Sequence, residues 1–586
     1  MQAKSNKLRS GYPGLFAAIV LVSLMTAPVG SLAGVIITGV DGELRDNIYA
    51  HLQIDDEACD SPSWRINRFY RQAEQVLRTA VEAFGYYSAT VVKSMQMDEA
   101  CWTVTLDINP GQPVLVRTMD VRIDGPGGSR PEFETLRANV PIAVGSTLSH
   151  AGYEQYKRRF NDTAGQLGYF DARFTTSRID VYPQERQADI VLVFDTGNRY
   201  RFGSVTFEQD VISVDLAERF IDFSPGQEYD VSRIRELNKA FLETGYFSGV
   251  DIRTTQRGEP DFVVDIVVRL TAAKHRSYNA GVGFGTDAGP RLSAGYINRR
   301  RNSRGHQTEF NASYSPVIFE TGASYRLPLN NPRKKWLSFD VGYKRETPDT
   351  LDSRLYKVGV KRLRRLSDIW ARTLFIDYSH EDFVIGLDEG RTNLLTPGVS
   401  WKRAVINMGA RPRRGVSANL RFSGAADFLL SDTSFVQFHA FGKTIHPLWE
   451  SARVIGRLEL GATLKDELSD LPASVRFFAG GDVSVRGYDF KSLGPTDEFG
   501  IVVGGSQLLV GSLELDQLVR PGWSVAMFVD AGNAFDRFLD NSLAIGVGAG
   551  IRWYSPLGPI RFDVAVPLQD SAPDSFRIHI TLGPDL

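Results

Sequence analysis

Beyond Ala33 this sequence has no apolar run long enough to cross a bilayer as a helix, which takes about 20 residues. If the rest of the chain sits in a membrane, it must do so as a closed β-barrel, the other structure that satisfies its backbone groups in lipid. Cysteine is almost missing: Cys59 and Cys101 are the two. With no histidine at ligand spacing they make a poor metal site. In an exported chain they read as one disulfide, with two buried thiols as the other reading. Neither sign of charge is in excess, since 67 Lys and Arg stand against 69 Asp and Glu, a net of −2. That gives no footing to a nucleic-acid partner or a polybasic membrane clamp. There is no Gly-x-Ser-x-Gly elbow and no His-Glu-x-x-His, so no catalytic centre is expected. Gly281-x-Gly283-x-Gly285 and Gly546-x-Gly548-x-Gly550 lack the strand–loop–helix setting of a nucleotide loop. No cofactor and no metal is implied.

What the sequence does have is glycine (54 residues) and aromatics (11%), the composition of many tight turns and half-buried strands. Lys4, Lys7 and Arg9, the apolar run from Leu15 to Met25 and the small residues around Ser31-Leu32-Ala33 read as a secretory signal, residues 1–33, the other reading being a transmembrane anchor, for which the run is short. Three segments then resemble one another: Phe84-Gly85-Tyr86-Tyr87, Leu167-Gly168-Tyr169-Phe170 and Thr244-Gly245-Tyr246-Phe247. Their glycines lie 83 and 77 residues apart. Each closes a helical pattern, where glycine suits a left-handed turn, and each precedes alternating strands. The helix from Arg65 to Ala83 carries Ile66, Phe69, Tyr70, Ala73, Val76, Leu77 and Ala80 on one face. Each repeat reads strand, helix, helix, strand, strand. Such units are of viable domain size, and they occupy 34–112, 113–197 and 198–272.

From residue 273 to 586 the helical period disappears and alternation takes over. Leu337, Phe339, Val341 and Tyr343 share a face, as do Val525, Met527 and Val529, or Ile560, Phe562, Val564 and Val566. Alternation alone fits a soluble sandwich or a barrel with its apolar face to lipid. The length, about 310 residues in segments of about ten, supports a transmembrane antiparallel barrel of roughly 16 strands.

One long loop, marked by Gly480-Gly481 and Gly494-Pro495, carries Val485-Arg486-Gly487-Tyr488. Two strands follow it, and their alternation points Glu514 and Asp530 to the lumen. The residues alone leave two placements for Arg486. It is either a solvated loop tip or a guanidinium forked onto those carboxylates, a geometry lysine cannot copy. Gly487 would permit close approach to the wall, and Tyr488 would supply an anchoring ring.

Val485-Arg486-Gly487-Tyr488, followed by Phe528-x-Asp530-x-Gly532 behind three strand–helix–helix–strand–strand repeats, resembles the outer-membrane assembly-factor superfamily. Its members carry periplasmic POTRA domains ahead of a 16-stranded barrel. Three repeats are similar to its TamA branch, the outer-membrane subunits of the translocation and assembly module. The segments Gly281 to Arg291 and Gly550 to Ile560 are similar to it as well. The resemblance implies that Arg486 contacts Asp530 and Glu514 inside the barrel. It also implies an outer-membrane location with POTRA domains in the periplasm, and insertion of unfolded outer-membrane clients such as autotransporters without ATP. Its expected partners are outer-membrane lipid and an inner-membrane-anchored protein resembling TamB. Many such barrels end in an aromatic residue, whereas this chain ends at Leu586.

The seam between first and last strands is expected to be weakly zipped. Gly281, Gly283 and Gly285 bring no side chains on one side. On the other, Phe576, Ile578 and Ile580 run into Gly583-Pro584, and proline donates no ladder bond. A lateral gate is the resulting expectation, with small residues that merely make room for a lumen plug as the other reading. A two-partner-secretion transporter, which should show two repeats and a plug helix, and a passive porin are the alternatives.

Overall fold

A computed structural model describes residues 34–52, 54, 57–97, 101–406, 411–537, 542–555, 558–569 and 576–583. The signal segment and Pro584 lie outside the described residues. Two compact units divide at Arg199.

The first unit holds two α/β modules. In the first, β1 (Gly34–Thr38), α1 (Gly42–His51), α2 (Ser63–Glu82), β2 (Thr90–Met97) and β3 (Trp102–Asn109) form a sheet of order β1-β3-β2. The apolar stripe of α2 supplies Ile66, Ala73, Leu77, Ala80 and Val81, which pack on Val104, Leu106 and Ile108 of β3. Cys59 and Cys101 are joined as a disulfide that pins the segment before α2 to the start of β3. The second module repeats the order with β4 (Leu115–Asp124), α3 (Pro131–Ala138), α4 (His150–Leu167), β5 (Arg173–Tyr182) and β6 (Gln187–Asp195), sheet order β4-β6-β5. The repeated glycines do the expected work: Gly85, Gly168 and Gly245 all take positive φ (88°, 86° and 70°). Gly85 has a second use. A Cβ there would lie 2.5 Å from the Leu148 carbonyl oxygen, so the helix end is also where the next module docks.

The second unit begins with a third module of the same order. It comprises β7 (Arg201–Glu208), α5 (Val214–Glu218), α6 (Val231–Glu243), β8 (Phe247–Arg257) and β9 (Val263–Ala272). It leads into a closed antiparallel barrel of 16 strands, β10 (Arg276–Gly285) to β25 (Arg577–Leu582). The longest strands, β15 (Leu351–Arg365), β16 (Trp370–Ile385) and β17 (Asp388–Ile406), lie mid-order, and the shorter β10 and β25 close the ring. The last strand starts one residue later than the pattern suggested, at Arg577, leaving Phe576 in the preceding loop. Val358, Ile376, Met527 and Val529 are exposed on the outside. Their lumen-side neighbours, such as Asp377, Phe528 and Asp530, are buried, as a lipid-facing wall requires.

The third module is fastened to the turns at the end where the chain joins the barrel. Tyr246 Oη donates to the Gly305 carbonyl at 2.5 Å, and Ser213 N to that of Ser303 at 2.8 Å. Arg333, with its side chain largely covered, pairs with Asp222 at 2.8 Å and Glu236 at 2.7 Å. Arg365 adds Glu243 at 2.7 Å.

Candidate functional site

The loop between β20 (Ala452–Lys465) and β21 (Gln507–Arg520) belongs to the far end of the barrel but folds into the lumen. It carries its own scaffold. Arg476 donates to the carbonyls of Leu471 (2.8 Å), Val503 (3.1 Å) and Ser469 (3.2 Å) and to Asp388 of β17 (2.9 Å). Lys491 reaches Glu346, and Ser474 N donates to Glu381, so one flank of the loop is held by β14 (Lys335–Glu346) and β16. The tip crosses to the opposite wall.

There Arg486 is 7% exposed and meets three carboxylates. Its Nε donates to Asp530 Oδ2 at 2.7 Å and its Nη2 to Asp530 Oδ1 at 3.1 Å, a fork closed by its own backbone N–H at 3.1 Å. Nη1 donates to Glu514 at 2.9 Å and to Asp563 at 3.1 Å. The guanidinium lies over the Phe528 ring, 3.4 Å from its centroid, so charge pairing and cation–π contact act on one group. Asp530 is wholly buried, and water cannot replace the arginine.

The structure thus places Arg486, Glu514, Phe528 and Asp530 together. Val485 is buried with Tyr488, Leu508, Val510 and Ala544. Tyr488 Oη donates to the Ile545 carbonyl at 3.4 Å. Gly487 has φ +100°, and its Cβ would meet Pro567 N at 3.2 Å. Gly532 admits no Cβ either, since Leu509 O would lie at 2.6 Å.

Four groups escaped sequence reading. Asp563 on β24 (Gly558–Pro567) and Arg552 on β23 (Ala544–Ser555) pair with each other, and Arg552 also reaches Glu514 at 3.1 Å. Arg457 of β20 donates to the carbonyls of Val483 and Ser484. His579 of β25 accepts from Gly487 N at 2.9 Å. Their alternation already put Arg552 and Asp563 on the polar face. What spacing could not show is how far the loop descends. With Arg457, three arginines and three carboxylates meet here, so the buried charge balances.

The glycines of β23 make the room. A Cβ on Gly546 would sit 1.9 Å from the Arg486 carbonyl oxygen, and one on Gly548 2.4 Å from the Phe528 ring. Gly546→Val is therefore expected to expel the loop tip from a folded barrel, read as new tryptic cleavage at Lys491. Gly442→Ala, where a Cβ meets nothing within 4 Å, should leave the digest unchanged. Equal digests for both variants would show that the tip does not depend on this space.

The seam is the other notable region. β10 and β25 share one paired position, Gly285 with Thr581. Thr286 adds bonds to Ile580, N to O at 3.1 Å and Ile580 N to Oγ1 at 2.6 Å. β24 and β25, by contrast, pair over six positions and β16 and β17 over sixteen. Gly281 therefore lies on a stretch of β10 with no β25 register partner among the described residues, and Gly283 at its border, where a Cβ would lie 3.9 Å from the Leu582 carbonyl oxygen. Ile578 and Ile580 have their register partners on β24, Ile580 also bonding Thr286 through its backbone N and O, and Gly583 N donates to the Pro559 carbonyl at 3.1 Å.

A closed 16-stranded barrel behind three α/β modules, with a loop clasped to its inner wall, defines a class of outer-membrane protein. The sequence model of the Omp85 superfamily domain matches residues 268–585, and this chain belongs to that superfamily. Residues 34–110 match "POTRA domain TamA domain 1", and 200–272 match a POTRA-type "Surface antigen variable number repeat". The outer membrane protein assembly factor BamA of Nitratidesulfovibrio vulgaris is 24% identical over 72% of this chain, which spans 56% of that relative. BamA of Neisseria meningitidis serogroup B is 24% identical over 85% of this chain and 70% of its own length. The crystal structure of Haemophilus ducreyi BamA lacking POTRA domains 1–3 superposes with a TM-score of 0.66 at 19% identity, over 80% of this chain and 99% of that one. The protein is an outer-membrane barrel with its POTRA domains in the periplasm, so the far-end loops face outside.

Proposed function

We propose that this protein is an outer-membrane protein assembly factor that lends incoming β-barrel clients the free edge of its first strand. The carrying observation is the seam, where among the described residues one register pair closes a ring whose other strands pair over six positions or more. An unpaired edge is a template for another strand. At membrane depth it is also costly, because each unsatisfied backbone group in lipid costs several kcal/mol. A client strand adding to β10 satisfies both edges, so pairing itself drives insertion and ATP is not required. The relatives named as assembly factors support this reading.

The finer assignment is a TamA-type factor handling autotransporters with a TamB-like inner-membrane partner. It draws on the three modules and the match of the first one. Each small sheet leaves an outer edge, β2 in the first, where a periplasmic partner could add a strand. Three repeats count against a two-partner-secretion transporter, and the loop filling the lumen counts against an open porin.

The test is photo-crosslinking from β10. Probes at Tyr278 and Val282, 72% and 71% exposed, should capture a client strand during assembly, and a probe at Val358 on β15 should not. Client assembly at a normal rate with no capture from β10 would sink the proposal.

A further inference from the structure

At the outer end of the seam three elements meet. Asp287 lies in the β10–β11 turn (β11, Gly289–Asn298), Asp482 in the lumenal loop and His579 on β25. One ligating atom of each lies within 4.8 Å of the others. The two aspartates bond reciprocally: Asp482 N donates to Asp287 Oδ2 at 2.6 Å, and Asp287 N to Asp482 Oδ2 at 3.2 Å. His579 Nδ1 meets Asp482 Oδ1 at 2.6 Å. Its Nε2 accepts from Gly487 N, which fixes the neutral tautomer with the proton on Nδ1. Both ring nitrogens are thus committed to protein partners, and the trio is a hydrogen-bonded clip.

Glycines surround the clip because it leaves no space. A Cβ on Gly481 would sit 2.4 Å from Asp287 Oδ2, and one on Gly285 3.3 Å from Asp482 Oδ2. The clip joins the first hairpin to the loop, and the loop to the last strand. Gly487 is adjacent to Arg486, so the same backbone segment carries both the clasp on Asp530 and the bond to β25. A short closure of one register pair would hardly hold two strands; this clip spans the same gap.

Resting on the gate reading above, we propose that Asp287, Asp482 and His579 are positioning residues that latch the seam to the loop, so that releasing the loop tip and parting β10 from β25 are one event. Each aspartate accepts the other's backbone N–H, which brings the two carboxyl groups close enough for the charge on one to oppose ionisation of the other. Burial first, and then the Asp482 charge, push the Asp287 carboxyl up to about 7. The charged groups around it are Asp482 and Asp489 of the loop, His579 and Arg577 of β25, and Asp563 across the ladder from His579. A carboxyl raised in the folded state stabilises it below its unfolded value and loses that contribution as pH rises through about 7. The latch is therefore closed in mild acid and weakens above neutrality.

The test uses the full-length protein in lipid, with spin labels at Val282→Cys on β10 and Val564→Cys on β24. The native cysteines are paired and do not compete for label. Seam distance and tryptic cleavage at Lys491 are followed together against pH. Both should rise in step near pH 7. Asp287→Asn, which mimics the protonated carboxyl, should abolish that step. Arg486→Ala should widen the seam, and His579→Ala added to it should remove the dependence of seam distance on residue 486. A seam distance indifferent to Arg486→Ala, or a pH step kept by Asp287→Asn, would overturn the latch. Because no client is present, this result stands apart from the capture experiment on β10.

Discussion

Arg486→Ala is expected to free the tip of the lumenal loop and strongly impair client assembly while the barrel still folds. The side chain makes four hydrogen bonds to three carboxylates and stacks on Phe528. Deleting it leaves Asp530 buried with its fork empty. Breaking one side of such a buried pair costs about 3–5 kcal/mol, against about 0–1 for an exposed bridge. Spent on loop docking, that shifts the docked-to-free ratio on the order of a hundredfold to several thousandfold. The barrel has its own ladder from β10 to β25 and does not rely on this contact to close. Arg486→Lys should fall between, because an ammonium cannot fork onto both Asp530 oxygens while reaching Glu514 and Asp563. Asp530→Ala should resemble Arg486→Ala, and the double variant should cost less than the two single losses summed, since both remove one interaction. The measurement is client assembly at matched barrel levels, with cleavage at Lys491 as the docking readout. Normal assembly in both single variants would leave the clasp without a role in the activity.

Much of this architecture was legible in the sequence for a physical reason. A strand one residue out of phase turns every side chain to the wrong face, so barrel segments must alternate strictly. Hence Glu514 and Asp530 could be placed on the lumen side from spacing alone, and both are buried there. Helix ends were legible because Gly85, Gly168 and Gly245 occupy a conformation other residues resist. The members of the clip were not. Asp287, Asp482 and His579 are far apart in sequence, and no period links a turn, a loop and a terminal strand. Asp563 and Arg552 sat on the correct face, but their meeting with Arg486 depends on a loop path set by Arg476, Lys491 and the glycines of β23. Local patterns determine faces; long-range charge pairing determines which faces touch.

A disulfide across the seam is expected to stop assembly outright, and reductant should restore it. The Gly285–Thr581 pair fixes the antiparallel register, and one step towards the periplasm brings Phe284 opposite Leu582. Cysteines at these two positions avoid Gly285, whose Cβ would press on Asp482. The barrel is already closed at this point, so the tether should not distort its resting state; it removes only the freedom to part. A client strand that must pair with β10 then has no way between the seam strands, whereas a function carried by the lumen or by the POTRA modules would be untouched. The oxidised and reduced forms of one protein supply the comparison at equal expression, with the parent protein under the same reductant as the control for Cys59–Cys101. Full activity while crosslinked would rule out the gate. The experiment also separates two uses of the loop. If Arg486 serves only to plug the lumen, the tethered barrel with Arg486→Ala should conduct ions in planar bilayers. If the loop acts on the seam, the tether should suppress the change in seam distance that Arg486→Ala causes, even though the clasp itself is gone. On the gate reading, a weak seam and a strongly held loop have one purpose: the wall opens along a single line, and the loop determines when.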